Sequence, residues 1–126
     1  RCITTRFLMS SRIIKTEKIA RERINESTCR TSLAAIVVKG GVPIAFGSNK
    51  KNHRGFSIHA EVNALNRLKR QKNGAEGADI YVYRFLANGD YGLAKPCPDC
   101  MSEIISSGIK RIYYSDYDGK MKMMKV

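Results

Sequence analysis

The sequence predicts an α/β fold: a single mixed sheet of four to five strands covered by helices. Three observations carry the prediction. Helical and strand-like segments follow one another in the order α-β-β-α-β-α-β, with room for one more strand at the end, and such an order wraps helices around a sheet. The first strand candidates are β-branched and apolar on both sides, as in "LAAIVV" at 33–38. The length of 126 residues suffices for one hydrophobic core and not for two, so 1–126 reads as one domain with 1–15 peripheral.

Taken in order, residues 15–28 predict a helix with a narrow apolar stripe of Ile19, Ala20 and Ile24. "SLAAIVVKGGVPIAFGSN" (32–49) predicts two strands joined at Gly40-Gly41, an antiparallel hairpin. After a basic loop, "HAEVNALNRLKRQK" (59–72) turns Ala60, Val62, Ala64, Leu65 and Leu68 largely to one side, a second helix that "NGAEG" stops. "ADIYVYRFL" (78–86) is a third strand and "ANGDYGLA" a loop. "DCMSEIISSG" is a short helix ending at Gly108, and "IKRIYYSD" a fourth strand. The Asp-Gly of "YDGK" is a turn signal that predicts an antiparallel return by "MKMMKV".

The longest apolar run is six residues, far too short to span a membrane. "RCITTRFLMSSR" mixes arginines and hydroxyls where a secretion signal would be apolar, so a soluble, cytoplasmic location is expected. Lys and Arg number 23 against 11 acids, a net charge of +12. The charge is uneven: residues 50–72 hold seven basic and one acidic side chain, whereas 73–109 hold two basic and five acidic. Clustered positive charge favours a phosphorylated or polyanionic partner. Four cysteines do not make a disulfide scaffold, and the close pair Cys97/Cys100 points to metal or redox chemistry.

Cys-Pro-x-Cys at a helix start can be a redox dithiol, its thiol acidified by the helix dipole. Glutaredoxin-like folds place that dithiol after their first strand, whereas 96 residues precede Cys97 here. The metal reading looks upstream to "HAE" at another helix start. Cys97 and Cys100, three residues apart, present both sulfurs on one face of a first turn. Together with His59 they form a donor set suited to Zn²⁺ with a fourth position left open, and Glu61 stands near as an unliganded carboxylate. His53, the other histidine, reads as an ordinary loop residue.

H-x-E followed by P-C-x-x-C is the signature of zinc nucleobase deaminases. From about residue 16 to 116 the chain resembles the cytidine deaminase-like superfamily. "HAEVNAL" and "PCPDCMSEIISSGIKRIYY" are most similar to deoxycytidylate deaminases, which tend to carry Asn where Asn63 stands. The resemblance implies a three-layer α/β/α fold and Zn²⁺ held by His59, Cys97 and Cys100. Glu61 would shuttle protons while a hydroxide generated at the metal attacks C4 of cytosine. The resemblance also implies that Asn49 bonds the sugar hydroxyl and that the backbone at Ala60 and Cys97 orients the base; Asn49 is equally a strand-end turn residue. Two departures stand out: Lys95 replaces a small or hydroxylated residue, and the C-terminal strand is expected antiparallel where deoxycytidylate deaminases continue with a helix and a parallel strand. The implied substrate is deoxycytidylate, or cytidine or deoxycytidine, with a homo-oligomer a common arrangement among relatives. Two readings compete with it: a deaminase of cytosine or adenine in single-stranded DNA or RNA, and a non-catalytic zinc-stabilised nucleic-acid-binding module. Phe56 is read as a packing residue, Tyr113, Tyr114 and Tyr117 as ordinary strand residues, and Cys2 and Cys29 as unligated thiols.

Overall fold

The computed structural model describes residues 13–22, 32–51, 57–69, 71, 74–86 and 89–126. Helix α1 covers 13–22. Strands β1 (Ser32–Lys39) and β2 (Val42–Ser48) follow, joined through Gly40 and Gly41, both at positive φ as a two-residue hairpin turn requires. Two short strands, β3 (Lys50–Lys51) and β4 (Ser57–Ile58), pair with each other as a separate antiparallel ribbon. Helix α2 (Ala60–Asn66) leads to β5 (Asp79–Phe85), and β6 (Tyr91–Gly92) to α3 (Pro98–Ser106). Strands β7 (Arg111–Ser115) and β8 (Met121–Lys125) complete the chain.

The main sheet runs β2-β1-β5-β7-β8, with β6 added against β5. All neighbours are antiparallel except β5 and β7, the parallel pair that α3 connects. Six strands therefore stand where four to five were expected. The extra one is β6, inside the segment read as a loop; two residues are too short to show any periodicity. It pairs Gly92 with Arg84 and Tyr91 with Phe85, extending the sheet past the point where β7 stops pairing with β5. The C-terminal strand returns antiparallel as expected, Ser115 opposite Met121 and Arg111 opposite Lys125. Its turn is held by the Asp118 carboxylate, which accepts from the Lys120 amide at 3.0 Å.

Alternation along the central strands explains why they read as apolar on both sides. Ala35, Val37, Ile80, Val82 and Ile112 face α2 and α3 in one core, with Ala60, Ala64, Leu65 and Ile104 from the helices. Ala34, Ile36, Val38, Tyr81, Tyr83, Phe85 and Tyr113 face α1 in a second core that takes in Ala20 and Ile19. The result is the three-layer α/β/α arrangement. Helix α1 is fastened by polar contacts as well as by its stripe. The Tyr83 hydroxyl meets that of Thr16 and donates to the Ile13 carbonyl at 3.1 Å, Tyr91 donates to Glu17, and Arg21 lies over the Phe85 ring at 4.4 Å.

Two helices differ in extent from the sequence reading. The second, expected over 59–72, is α-helical from Ala60 to Asn66 and continues as turns through residue 69, with Leu68 still buried in the core. Of the first, expected over 15–28, residues 13–22 are helical and the remainder lies outside the described residues.

Candidate metal centre

Two helix starts meet at one end of the sheet. His59 precedes α2 in extended conformation (φ −71°, ψ 149°), and Cys97 precedes α3 in nearly the same one (φ −72°, ψ 166°), with Pro98 opening the helix. Neither side chain caps its own helix. Both turn instead toward each other across the gap. His59 Nδ1 lies 3.1 Å from Cys100 Sγ and 3.9 Å from Cys97 Sγ, and the three donor atoms all fall within 4.8 Å of one another. Donors bound tetrahedrally to zinc stand roughly 3.4–3.8 Å apart, so this set is spaced for one Zn²⁺.

The position of α2 depends on Gly47. A Cβ there would lie 2.5 Å from the Ala64 amide nitrogen and 2.8 Å from the Ala60 carbonyl oxygen, so only glycine lets the helix settle on β2. The Asn63 side chain then donates to the Ser48 carbonyl at 2.9 Å, tying the helix to the strand end. The other half is set by α3: Cys100 and Ile104 are buried against the sheet, and the Met101 amide donates to the Cys97 carbonyl at 2.8 Å. The segment entering α3 is held by β7, through the Ala94 amide to the Ser115 carbonyl at 2.9 Å and the Ser115 hydroxyl to the Gly92 carbonyl at 2.8 Å.

Glu61, in the first turn of α2, is only 4% exposed. Burial pushes its carboxyl above the ordinary carboxylate range, opposed by its backbone hydrogen bond, the neighbouring His59 and a hydrogen bond with Cys100. Burial, with the adjacent Glu61 and Cys97, also pushes the Cys100 thiol far up. Two thiols and a carboxyl packed this closely cannot all ionise without a cation among them. A divalent ion that binds thiolate and imidazole satisfies that demand, so the residues fit Zn²⁺.

Asn49 is buried beside Leu33: its side-chain oxygen accepts from the Leu33 amide at 3.0 Å, and its own amide donates to the Leu33 carbonyl at 3.3 Å. It thus closes the open end of the hairpin. Ala60 is fully buried against β2. Tyr113 stacks on Tyr81 in the core under α1, centroids 4.4 Å apart and planes within 4°, and Tyr114 packs in the opposite core. Tyr117, read as a strand residue, lies instead on the β7–β8 turn, 66% exposed. His53, Phe56, Cys2 and Cys29 lie outside the described residues. The sequence reading passed over Ser115 and Gly47, whose contacts are cross-strand and helix-on-strand; the only available signal was the glycine in "FGSN".

Residues 10–116 match the family model described as the cytidine and deoxycytidylate deaminase zinc-binding region. The chain is 33% identical over 101 residues to the deoxycytidylate deaminase of Enterobacteria phage T4, a stretch covering 68% of this chain and 47% of that protein. It spans about half the length of the curated relatives it matches. Among solved structures it is similar to the dCMP deaminase of cyanophage S-TIM5 in complex with dCMP and dUMP, at 28% identity and a TM-score of 0.60 over 79% of this chain and 78% of that one. The cytidine deaminase of Burkholderia pseudomallei shares the fold, with a TM-score of 0.66 and 16% identity over 86% of this chain and 87% of that one.

Proposed function

This chain belongs to the cytidine and deoxycytidylate deaminase family, and from that premise we propose that it is a hydrolytic deaminase converting cytosine to uracil in a small substrate, deoxycytidylate before the free nucleosides. One observation carries the proposal: His59, Cys97 and Cys100 bring their donor atoms within 4.8 Å of one another, with the buried Glu61 two residues from His59 in the first turn of α2. When bound, zinc supplies Lewis-acid activation that brings the pKa of a coordinated water toward neutrality.

The proton work falls to Glu61. Its carboxylate takes the proton released as water adds at C4 and delivers it to N3 of the ring, whose double bond to C4 opens. It then takes the second proton, from the new C4 hydroxyl, and passes it to the amino group on C4. The C4–N bond breaks with its electron pair on nitrogen, ammonia departs, and the C4 carbonyl of uracil remains, so one water is consumed for each ammonia released. Burial raises this carboxyl above the ordinary carboxylate range, which strengthens its hold on the proton it collects. His59, Cys97 and Cys100 hold the metal, the backbone at Ala60 and Cys97 positions the base, and Asn49 faces the sugar.

The preference for deoxycytidylate is supported by the identity to the phage enzyme of that name and the likeness to the cyanophage protein bound to dCMP and dUMP. The net charge of +12 favours a second reading, in which cytosine is deaminated within a single strand. Incubation with deoxycytidine, deoxycytidylate and a cytosine-bearing oligonucleotide, with Glu61→Ala alongside, separates the two. Uracil formed on the mononucleotide and absent with the variant supports the proposal. Uracil formed on the oligonucleotide alone, with rates falling steeply as salt rises, assigns the strand.

A further inference from the structure

Arg84 has no counterpart in the roles described so far. It stands at the C-terminal end of β5, directly opposite Leu33 of β1 on one side and Gly92 of β6 on the other. Leu33 is in turn bonded to Asn49, so Asn49, Leu33, Arg84 and Gly92 form one rung across the sheet. Arg84 follows Ile80 and Val82 in alternation, which puts its side chain on the face that carries α2 and α3. The rung therefore lies at the end of the sheet where His59 and Cys97 meet, with Asn49 and Arg84 two strand spacings, about 10 Å, apart.

The side chain is held in an unusual state. Its Cγ and Cδ lie on Gly92, where a Cβ would come within 3.1 Å of both, and the Leu86 side chain closes in from beside them. Its backbone amide donates to the Ser115 hydroxyl at 3.0 Å, which fixes the strand beneath it. Among the described residues its Nε, cut off from solvent, has no hydrogen-bond partner, and no carboxylate pairs with the guanidinium. A guanidinium does not give up its proton, so the half-buried Arg84 keeps hydrogen-bond donors that an anion would complete. Residues 73–109 contain five acids and only two bases, Arg84 and Lys95. Lys95 is exposed, two residues before Cys97.

We propose that Arg84 binds the phosphate monoester of the substrate and thereby selects a nucleotide over a free nucleoside. The assignment rests on the deaminase reading, in which the base occupies the metal centre and the sugar lies beside Asn49. The 5′-phosphate then extends along the rung toward Arg84, and the planar guanidinium matches a phosphate through two parallel hydrogen bonds.

The test is equilibrium binding of deoxyuridylate and deoxyuridine, which need no turnover, to the zinc-loaded protein by calorimetry. The wild type should bind deoxyuridylate about 10- to 100-fold more tightly than deoxyuridine, the range of charge-assisted hydrogen bonds. Arg84→Gln should abolish that preference while leaving deoxyuridine affinity, zinc content and melting temperature in place, and Arg84→Lys should restore part of it. A preference that survives Arg84→Gln overturns the assignment. So does an equal loss for both ligands, which marks a structural role, or Arg84-dependent binding of a uracil-bearing oligonucleotide without binding of deoxyuridylate. Deamination of deoxycytidylate is assayed in parallel. An Arg84-dependent nucleotide preference without deamination removes the deaminase reading and leaves the phosphate contact standing.

Discussion

Replacing Gly47 by alanine should cost this protein its metal centre through a single methyl group. The residue's own conformation accepts a side chain, so the effect is purely steric. The new Cβ would sit 2.5 Å from the Ala64 amide nitrogen, 2.8 Å from the Ala60 carbonyl oxygen and 3.0 Å from the Asn63 carbonyl carbon. All three are backbone atoms of one helix, and none can swing aside as a side-chain tip would. Ordinary contact begins near 3.4 Å, so α2 must retreat by about 0.9 Å or β2 must bend. Overpacking of this kind costs roughly 1–3 kcal/mol of stability. The larger consequence is at His59, one residue before α2. A tolerance of about 0.2 Å separates a good zinc geometry from a poor one, and the displacement exceeds it several-fold. Gly47→Ala should therefore lower zinc affinity by at least about 10-fold, measured by competition with a chromogenic chelator, with a parallel loss of deamination. Gly119→Ala is the control: its φ of +79° makes a side chain strained, but no atom lies within 4 Å of the new Cβ. That variant should lose stability while zinc affinity holds. Wild-type zinc affinity and melting temperature in Gly47→Ala would refute the reasoning, because α2 would then not depend on that close approach.

Glu61→Gln should lower the deamination rate by about 10²–10⁴-fold with zinc content unchanged, since it removes the proposed proton carrier and no proposed ligand; atomic absorption beside a rate assay checks both. Stripping the metal with a chelator should lower the melting temperature reversibly, and zinc at 100 times its dissociation constant should return about 2.7 kcal/mol, read by calorimetric unfolding with and without zinc. Burial raises the Tyr83 hydroxyl far above its ordinary value of 10.0, so the folded state keeps a proton that the unfolded chain releases. The associated stability is complete below pH 10 and lost above it. Tyr83→Phe should lose about 1 kcal/mol at neutral pH from its hydrogen bonds to Thr16 and Ile13, yet decline less steeply in denaturant titrations above pH 10.

The layer order and the turns were legible in the sequence because they rest on local chemistry. Gly40-Gly41 supplies the positive φ of a hairpin, Asp118-Gly119 does the same before β8, and apolar runs bounded by such turns become strands whatever their partners. The candidate metal ligands were legible for a similar reason: a histidine and a cysteine pair at two helix starts are written in two short motifs. Other features were not. Arg84 and Gly92 are eight residues apart with no local pattern joining them, and become neighbours only because β6 folds back on β5. Gly47 looks like any glycine in a strand until α2 is laid across it.

Sequence alone thus pointed to the family and to the chemistry proposed for the chain, because zinc ligation and proton transfer demand particular side chains at particular spacings. Tertiary structure decided where that chemistry is aimed. The gap between His59 and Cys100, the dryness of Glu61 and the unpaired state of Arg84 each depend on atoms from separate elements coming within a few ångströms. Packing of helices on a sheet sets such distances, and no stretch of sequence contains them.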